Sequence, residues 1–258
     1  MGLDNDPKLN HLIKTWKKNT VMTAETLRSM GYSYQLLDKY KKSNWLESPG
    51  KGAYSVSGHE IHWPGALYAL QKSLSLPIRP GGLTALEMSG FAHYIRTNNR
   101  VIQLFGVEQK KLPLWFRNIM VKENIGIFGT TFLKHAADIP TTTRAYGDFS
   151  INISAPEAAY LEMLSTVPGK TSFAEALEVS ENLTALRSGI LQKLLECSTS
   201  VKVNRLALYV AWHHRHDWFS KLNEKTIHLG AGKRVIEANG RFDTTYNITV
   251  PYRNEISE

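Results

Sequence analysis

The chain has 258 residues, 31 lysines and arginines against 23 aspartates and glutamates, and a formal charge of +8. That length accommodates two domains with separate cores, and the positive excess favours a polyanionic partner. Its one cysteine, Cys197, excludes an internal disulfide and a thiolate-built metal site; the longest apolar run, residues 206–212, is too short to cross a membrane, and the polar start over residues 1–8 argues against a signal peptide, so a cytoplasmic protein is expected. Leu9, Leu12, Ile13 and Trp16 are spaced for the buried face of a first helix. Thr23 stands where an N-cap belongs before a helix over 24–30, Gly31 supplies a turn that tolerates positive φ, and Ser33 caps a second helix over 34–42. In that second helix Leu36, Leu37 and Tyr40 share one face, while Gln35, Asp38, Lys39 and Lys42 recur on the other. Residues 45–47 and 53–56 are expected as short strands joined by Ser48-Pro49-Gly50-Lys51-Gly52, a tight tip carrying one cation.

Helix, turn, helix and wing in that order read as a winged helix, and eight basic residues between Lys14 and Lys51 face only Glu25, Asp38 and Glu47. The expected DNA-binding residues are Ser33, Tyr34, Gln35, Lys39, Lys41, Lys42 and Lys51. Gln35 is the expected base reader, because its amide can bind adenine through two hydrogen bonds; the lysines are expected on phosphates.

Beyond the wing, Pro64 opens a helix with Ala66, Leu67, Leu70 and Leu74 inward, and Thr84 with Glu87 suggests a capping box at the start of another. The polar stretch near 94–100 marks the expected boundary between domains of residues 1–95 and 96–258. In the second domain strands are expected over 101–105, 112–116 and 148–153 and helices from Pro156, over 172–179, over 183–197 and over 203–219. Asn239-Gly240 suggests a hairpin between 234–237 and 241–242, with a further strand over 246–250. The fold class read from this pattern is α+β: an N-terminal winged helix-turn-helix followed by a larger mixed α/β domain.

Four segments occur together in the order Trp63-Pro64-Gly65-Ala66-Leu67-Tyr68-Ala69-Leu70, Gly81-Gly82-Leu83-Thr84-Ala85-Leu86, His213-His214-Arg215-His216-Asp217-Trp218-Phe219 and Leu229-Gly230-Ala231-Gly232-Lys233-Arg234-Val235-Ile236. They resemble the AbiEi family of antitoxins over nearly the whole chain. The resemblance implies a two-domain antitoxin of a type IV toxin–antitoxin, or abortive-infection, system. Its winged helix would bind inverted repeats in the promoter of its own operon and repress transcription; its C-terminal domain would counteract a nucleotidyltransferase-like toxin without a stable complex.

The residues suggest little catalysis. His213, His214 and His216 beside Asp217 are potential metal ligands, but His-Glu-x-x-His spacing is absent and a structural or polyanion-facing cluster is the expectation, with no metal and no cofactor. Gly230-Ala231-Gly232-Lys233-Arg234 lacks both the glycine spacing and the Ser or Thr of a phosphate loop. Among the carboxylates Asp138, Asp148, Glu157 and Glu162, Glu157 is expected to favour the N-terminus of its own helix and Glu162 to be solvated. Cys197 is expected as a buried small hydrophobe. Arg205, Arg215, Lys233 and Arg234 are expected as possible secondary nucleic-acid contacts. The rival readings are a DNA-processing enzyme with an endonuclease-like C-terminal domain and a ligand-responsive regulator.

Overall fold

The computed structural model describes residues 7–92, 101–133 and 139–252, so the expected boundary over 94–100 and Asp138 lie outside the described residues. In chain order the elements are α1 (Pro7–Thr15), β1 (Met22–Thr23), α2 (Ala24–Ser29), α3 (Tyr34–Lys42), β2 (Leu46–Gly50), β3 (Ala53–Val56), α4 (Trp63–Lys72), β4 (Arg79–Pro80), α5 (Gly82–Met88), β5 (Ile102–Phe105), α6 (Leu114–Lys122), β6 (Ile125–Phe128), β7 (Thr141–Tyr146), β8 (Phe149–Ser154), α7 (Pro156–Ser165), α8 (Phe173–Glu181), α9 (Ser188–Cys197), α10 (Val201–His214), β9 (Arg234–Val235), β10 (Arg241–Asp243) and β11 (Ile248–Val250). The class is α+β, as the sequence pattern indicates. Two compact units form: the first from Met1–Arg79, Gly106–Phe128 and Thr143–Asn152, the second from Pro80–Phe105, Gly129–Thr142 and Ile153–Glu258. The first unit thus takes in two segments from well beyond residue 95.

In the first unit, Leu9 and Leu12 of α1, Trp16 just after it, Leu27, Tyr32, Leu37, Tyr40, Leu46 and Val56 make one core, with Ile13 and Leu36 partly buried against it. The helix starts are set locally. Thr23 accepts from the Thr26 N–H and Ser33 from the Leu36 N–H, both at 3.2 Å, which satisfies donors that a helix cannot pair internally. Gly31 turns the chain between α2 and α3 at φ +89°. The strands β1, β3 and β2 form an antiparallel sheet in that order, with an irregularity between Glu47 and Gly50 that lets β2 run further into the tip than expected.

Two later segments complete this unit. Residues 112–116, expected as a strand, instead open α6: Pro113 precedes the first turn, and Trp115, Phe116 and Met120 are buried at helical spacing. The backbone of Gly50 in β2 lies so near Trp115 that an added Cβ would sit 2.8 Å from the tryptophan Cβ. The tip of the β7–β8 hairpin turns at Gly147, φ +61°, and sets Phe149 edge-on to Tyr68 of α4, centroids 5.3 Å apart. The side-chain amide of Gln71 then pairs with Asn152 as a neighbouring strand would, donating to its carbonyl at 2.8 Å and accepting from its N–H at 2.9 Å. Gly65 in α4 packs on the Asn19 carbonyl with no room for a Cβ, which gives the Trp-Pro-Gly segment a packing reason.

In the second unit α7 is buried along nearly all of its length and packs against α5, α8, α9 and α10. Tyr160 in it donates to the Ala207 carbonyl of α10 at 2.8 Å. The expected capping box of Thr84 and Glu87 is replaced by a longer-range cap. Helix α5 starts at Gly82, whose N–H donates to Glu162 (3.2 Å), while the next N–H, on Leu83, donates to the Gln103 side chain (3.0 Å). Thr84 uses its hydroxyl to accept from the Gln103 backbone at 2.9 Å. Gly81 and Gly82 are needed because Glu162, Phe105 and Gln103 fill the space a Cβ would take. Near the C-terminus β9 and β10 do not form the expected hairpin: both pair with β11, β9 in parallel and β10 antiparallel.

Candidate nucleic-acid interface

The candidate surface in the first unit is built on α3. Burial of Leu37 and Tyr40 leaves Ser33, Tyr34, Gln35, Lys39, Lys41 and Lys42 exposed, with Asp38 half-buried among them. Arg28 of α2 lies over the Tyr34 ring, 5.0 Å from its centroid, so the start of α3 presents an aromatic and a guanidinium together. Lys42 pairs with Asp38 at 2.7 Å, one helical turn back, and that contact lowers the Asp38 carboxyl and raises the lysine relative to their ordinary values. Lys51 is exposed at the turn between β2 and β3, beside Gly52, which turns at φ +79°.

The expected secondary contacts in the second unit divide. Arg205 is 2% exposed and cannot meet a nucleic acid. Its guanidinium donates to the carbonyls of Leu229 (2.7 Å), Gly230 (3.1 Å), Gly232 (2.5 Å) and Asn247 (3.1 Å). This explains the glycines at 230 and 232, which take φ +58° and +73° and so turn loop carbonyls onto one buried cation. A phosphate loop does the reverse and aims N–H groups at its ligand. Arg215, Lys233 and Arg234 are exposed; Lys233 lies over the Phe242 ring at 5.0 Å.

The histidines have structural partners. His214 donates through Nε2 to the Leu177 carbonyl at 2.9 Å, His216 to that of Ser180 at 2.8 Å, and Trp218 through its indole N–H to that of Leu183 at 2.7 Å. The three side chains thereby bind carbonyls in the second half of α8 and just beyond it, rather than acting on their own helix. Burial keeps both imidazoles below their ordinary pKa, against the opposing pull of those carbonyls. Among the described residues, no group of three or more His, Cys, Asp or Glu is placed to hold a metal ion.

One carboxylate departs from expectation: Glu162 is fully buried as the α5 cap, not solvated. Glu157 stands in the first turn of its own helix, as expected. Buried at 2% exposure, it also serves Arg187 at the start of α9: its Oε1 accepts from the backbone N–H and Nε at 2.9 Å each, and its Oε2 from a terminal nitrogen at 2.8 Å. Burial alone would push its carboxyl up; the Arg187 bonds, helped by its own backbone N–H, outweigh that and hold it below the ordinary value. Asp148 accepts from the Lys18 backbone at 3.1 Å. Cys197, expected to be buried, is exposed.

The second unit also holds a cavity of about 790 Å³ lined by Trp212, His213, Arg215, His216, Asp217, Phe219, Ser220 and Arg241. Trp212 and Arg241 were not among the expected site residues. A signal existed for the tryptophan: with 203, 206, 207 and 210 facing inward on α10, position 212 falls on the outer face, where a large aromatic is unusual.

Similarity to known families divides the chain once, near residue 98, whereas the two compact units exchange segments across that point. Residues 5–97 match the family model for the transcriptional regulator, AbiEi antitoxin N-terminal domain, and residues 99–251 match that for the transcriptional regulator, AbiEi antitoxin, type IV TA system. The crystal structure of the RV2827C protein from Mycobacterium tuberculosis is similar in fold, with a TM-score of 0.63 at 16% identity over 94% of this chain and 89% of that one. No curated protein matches the sequence. No helix among the described residues is long and apolar enough to cross a membrane. With both halves matched in order, the chain belongs to the AbiEi family of antitoxin transcriptional regulators of type IV toxin–antitoxin systems.

Proposed function

We propose that the first unit is a winged helix that binds promoter DNA at inverted repeats and represses transcription of its own operon in the cytoplasm, α3 entering the major groove and Lys51 reaching a flanking phosphate. The observation that carries this reading is the single exposed polar face of Gln35, Lys39 and Lys42 on a helix whose opposite face is locked into the core. Gln35 reads a base; Lys39, Lys41 and Lys42 hold phosphates, with Ser33 and Tyr34 at the helix start. We further propose that DNA contact resides chiefly in residues 1–95, and that residues 96–258 counteract a nucleotidyltransferase-like toxin without a stable complex and without catalysis of their own. The antitoxin part rests on family membership.

A gel-shift salt series on the full chain tests the DNA reading. Gln35→Ala should change preference at one base pair by roughly 5- to 150-fold, and Lys39→Ala should weaken all sequences and flatten the salt slope by about one unit. Asp38→Asn should strengthen binding generally, since it frees Lys42 and removes an anion facing the phosphates. Unchanged binding in all three variants sinks the α3 assignment. The same variants, expressed beside the neighbouring toxin gene, should still protect growth if antitoxicity lies in the other half.

A further inference from the structure

From the cavity beside the end of α10, we infer a nucleotide-binding site in the second unit, one that takes a single unstacked base with its phosphate rather than a duplex. It goes beyond the promoter reading and uses none of the α3 residues.

Three features converge there. Trp212 is 50% exposed on the cavity wall, a large flat ring that folding has not covered. It is set by the buried Tyr209, whose ring lies 6.2 Å away and also stacks on His213 at 6.1 Å and 25°. The wall is therefore a supported aromatic surface, suited to stacking by any base.

Two guanidiniums line the same space. Arg241 comes from β10 and is positioned by donating to the Tyr209 hydroxyl at 3.1 Å, which leaves further donors of its fork for a ligand. Arg215 ends α10 in the left-handed conformation, φ +55° and ψ 40°, which glycine or asparagine would adopt more readily. An arginine there, lining a cavity, fits a need for its side chain and not for the turn alone.

The remaining lining sets the ligand class. Asp217 and Ser220 add a carboxylate and a hydroxyl oxygen, both able to accept from the amino edge of a base, the hydroxyl proton itself being donated to the Asp217 carbonyl at 2.8 Å, and Phe219 adds apolar surface. A volume of about 790 Å³ lies within the range of small-molecule sites. Stacking surface, paired guanidiniums and an edge-reading carboxylate together match a nucleoside phosphate. Bases inside a duplex are already stacked on both faces and cannot use such a wall, so the source is a free nucleotide or the unpaired end of a strand.

The test is a calorimetric titration of the full chain and its Trp212→Ala variant with the four 5′-nucleoside monophosphates, a short single-stranded oligonucleotide, a blunt duplex, inorganic phosphate and an acidic peptide. We expect at least one monophosphate or the single strand to bind more tightly than inorganic phosphate, while the duplex, held through α3, should bind wild type and Trp212→Ala equally. Trp212→Ala should weaken that monophosphate or strand at least about fivefold with an unchanged melting temperature. Arg241→Gln should weaken phosphorylated ligands more than the matching nucleosides. A monophosphate that binds as well as the oligonucleotide identifies a free nucleotide as the source; a clear preference for the oligonucleotide identifies a strand end. The proposal is overturned if no nucleotide or strand binds, if Trp212→Ala binds as well as wild type, or if the acidic peptide binds best. Promoter gel shifts with Trp212→Ala should be unaffected, which separates failure here from failure of the α3 reading.

Discussion

The surroundings of α3 in the first unit and the interior of the second use charge in different ways. Around α3, Lys39, Lys41, Lys42 and Lys51 stay at the surface over an apolar cluster, and a buried cation of that unit, Arg79, lies at the far end of the segment 1–79. In the second, Arg205, Glu157 and Glu162 are turned inward and used as struts, each joining segments distant in sequence. The difference lies in how far each charge can be replaced. A surface cation contributes little to stability and is free to serve a partner, whereas a buried one is a structural part whose loss strands several polar groups at once.

The largest effect should come from Arg205→Met. It leaves the Leu229, Gly230 and Gly232 carbonyls without their donor, and that of Asn247 with the Arg234 N–H alone, and should cost about 4 kcal/mol in urea unfolding; Arg205→Lys should not restore it because one ammonium cannot reach four acceptors. Lys41→Met on α3 should leave the melt unchanged; equal effects of the two would erase the contrast. Next, Leu37→Ala should cost about 2–5 kcal/mol, as for a fully buried leucine, while Gln35→Ala on the same helix should cost nearly nothing in stability.

The smallest effect is on pH. His214 and His216 have lowered pKa values when folded, so the unfolded chain takes up protons first as pH falls below the ordinary 6.5. Their contribution is complete above 6.5 and is lost as pH falls from there through the folded values. Asp217 and Glu181, which favour the charged imidazoles, soften the loss. Replacing both histidines with Gln should flatten the fall in melting temperature between about pH 7 and 5. An unchanged slope in that variant would mean that other groups carry it.

Short-range chemistry was legible in the sequence. Thr23 and Ser33 announced helix starts because a cap acts over three residues, and the face of α3 could be read because its periodicity is local. What could not be read was long-range. Nothing near Glu162 tells that it will cap a helix eighty residues earlier, nor anything near Arg205 that its acceptors lie in a loop more than twenty residues on. Solvated and buried charges look alike in a chain. The Asn239-Gly240 pair had the composition of a hairpin turn, but β11 pairs with both flanking strands. A short apolar run behind Pro113 fitted strand and helix equally until burial of Trp115 and Met120 decided it. Of the residues proposed to meet nucleic acid, the α3 set needed only one helix to be placed, whereas Trp212 and Arg241 come together only through the packing of α10 against the C-terminal strands.

Gln71 has a consequence outside folding energetics. A hairpin of two strands has raw edges, and an unsatisfied edge invites a strand from another molecule. By occupying both backbone groups of Asn152, a single side-chain amide closes that edge where β8 would otherwise offer a template. If the proposed promoter binding brings identical copies close together, this one residue guards against strand pairing at Asn152.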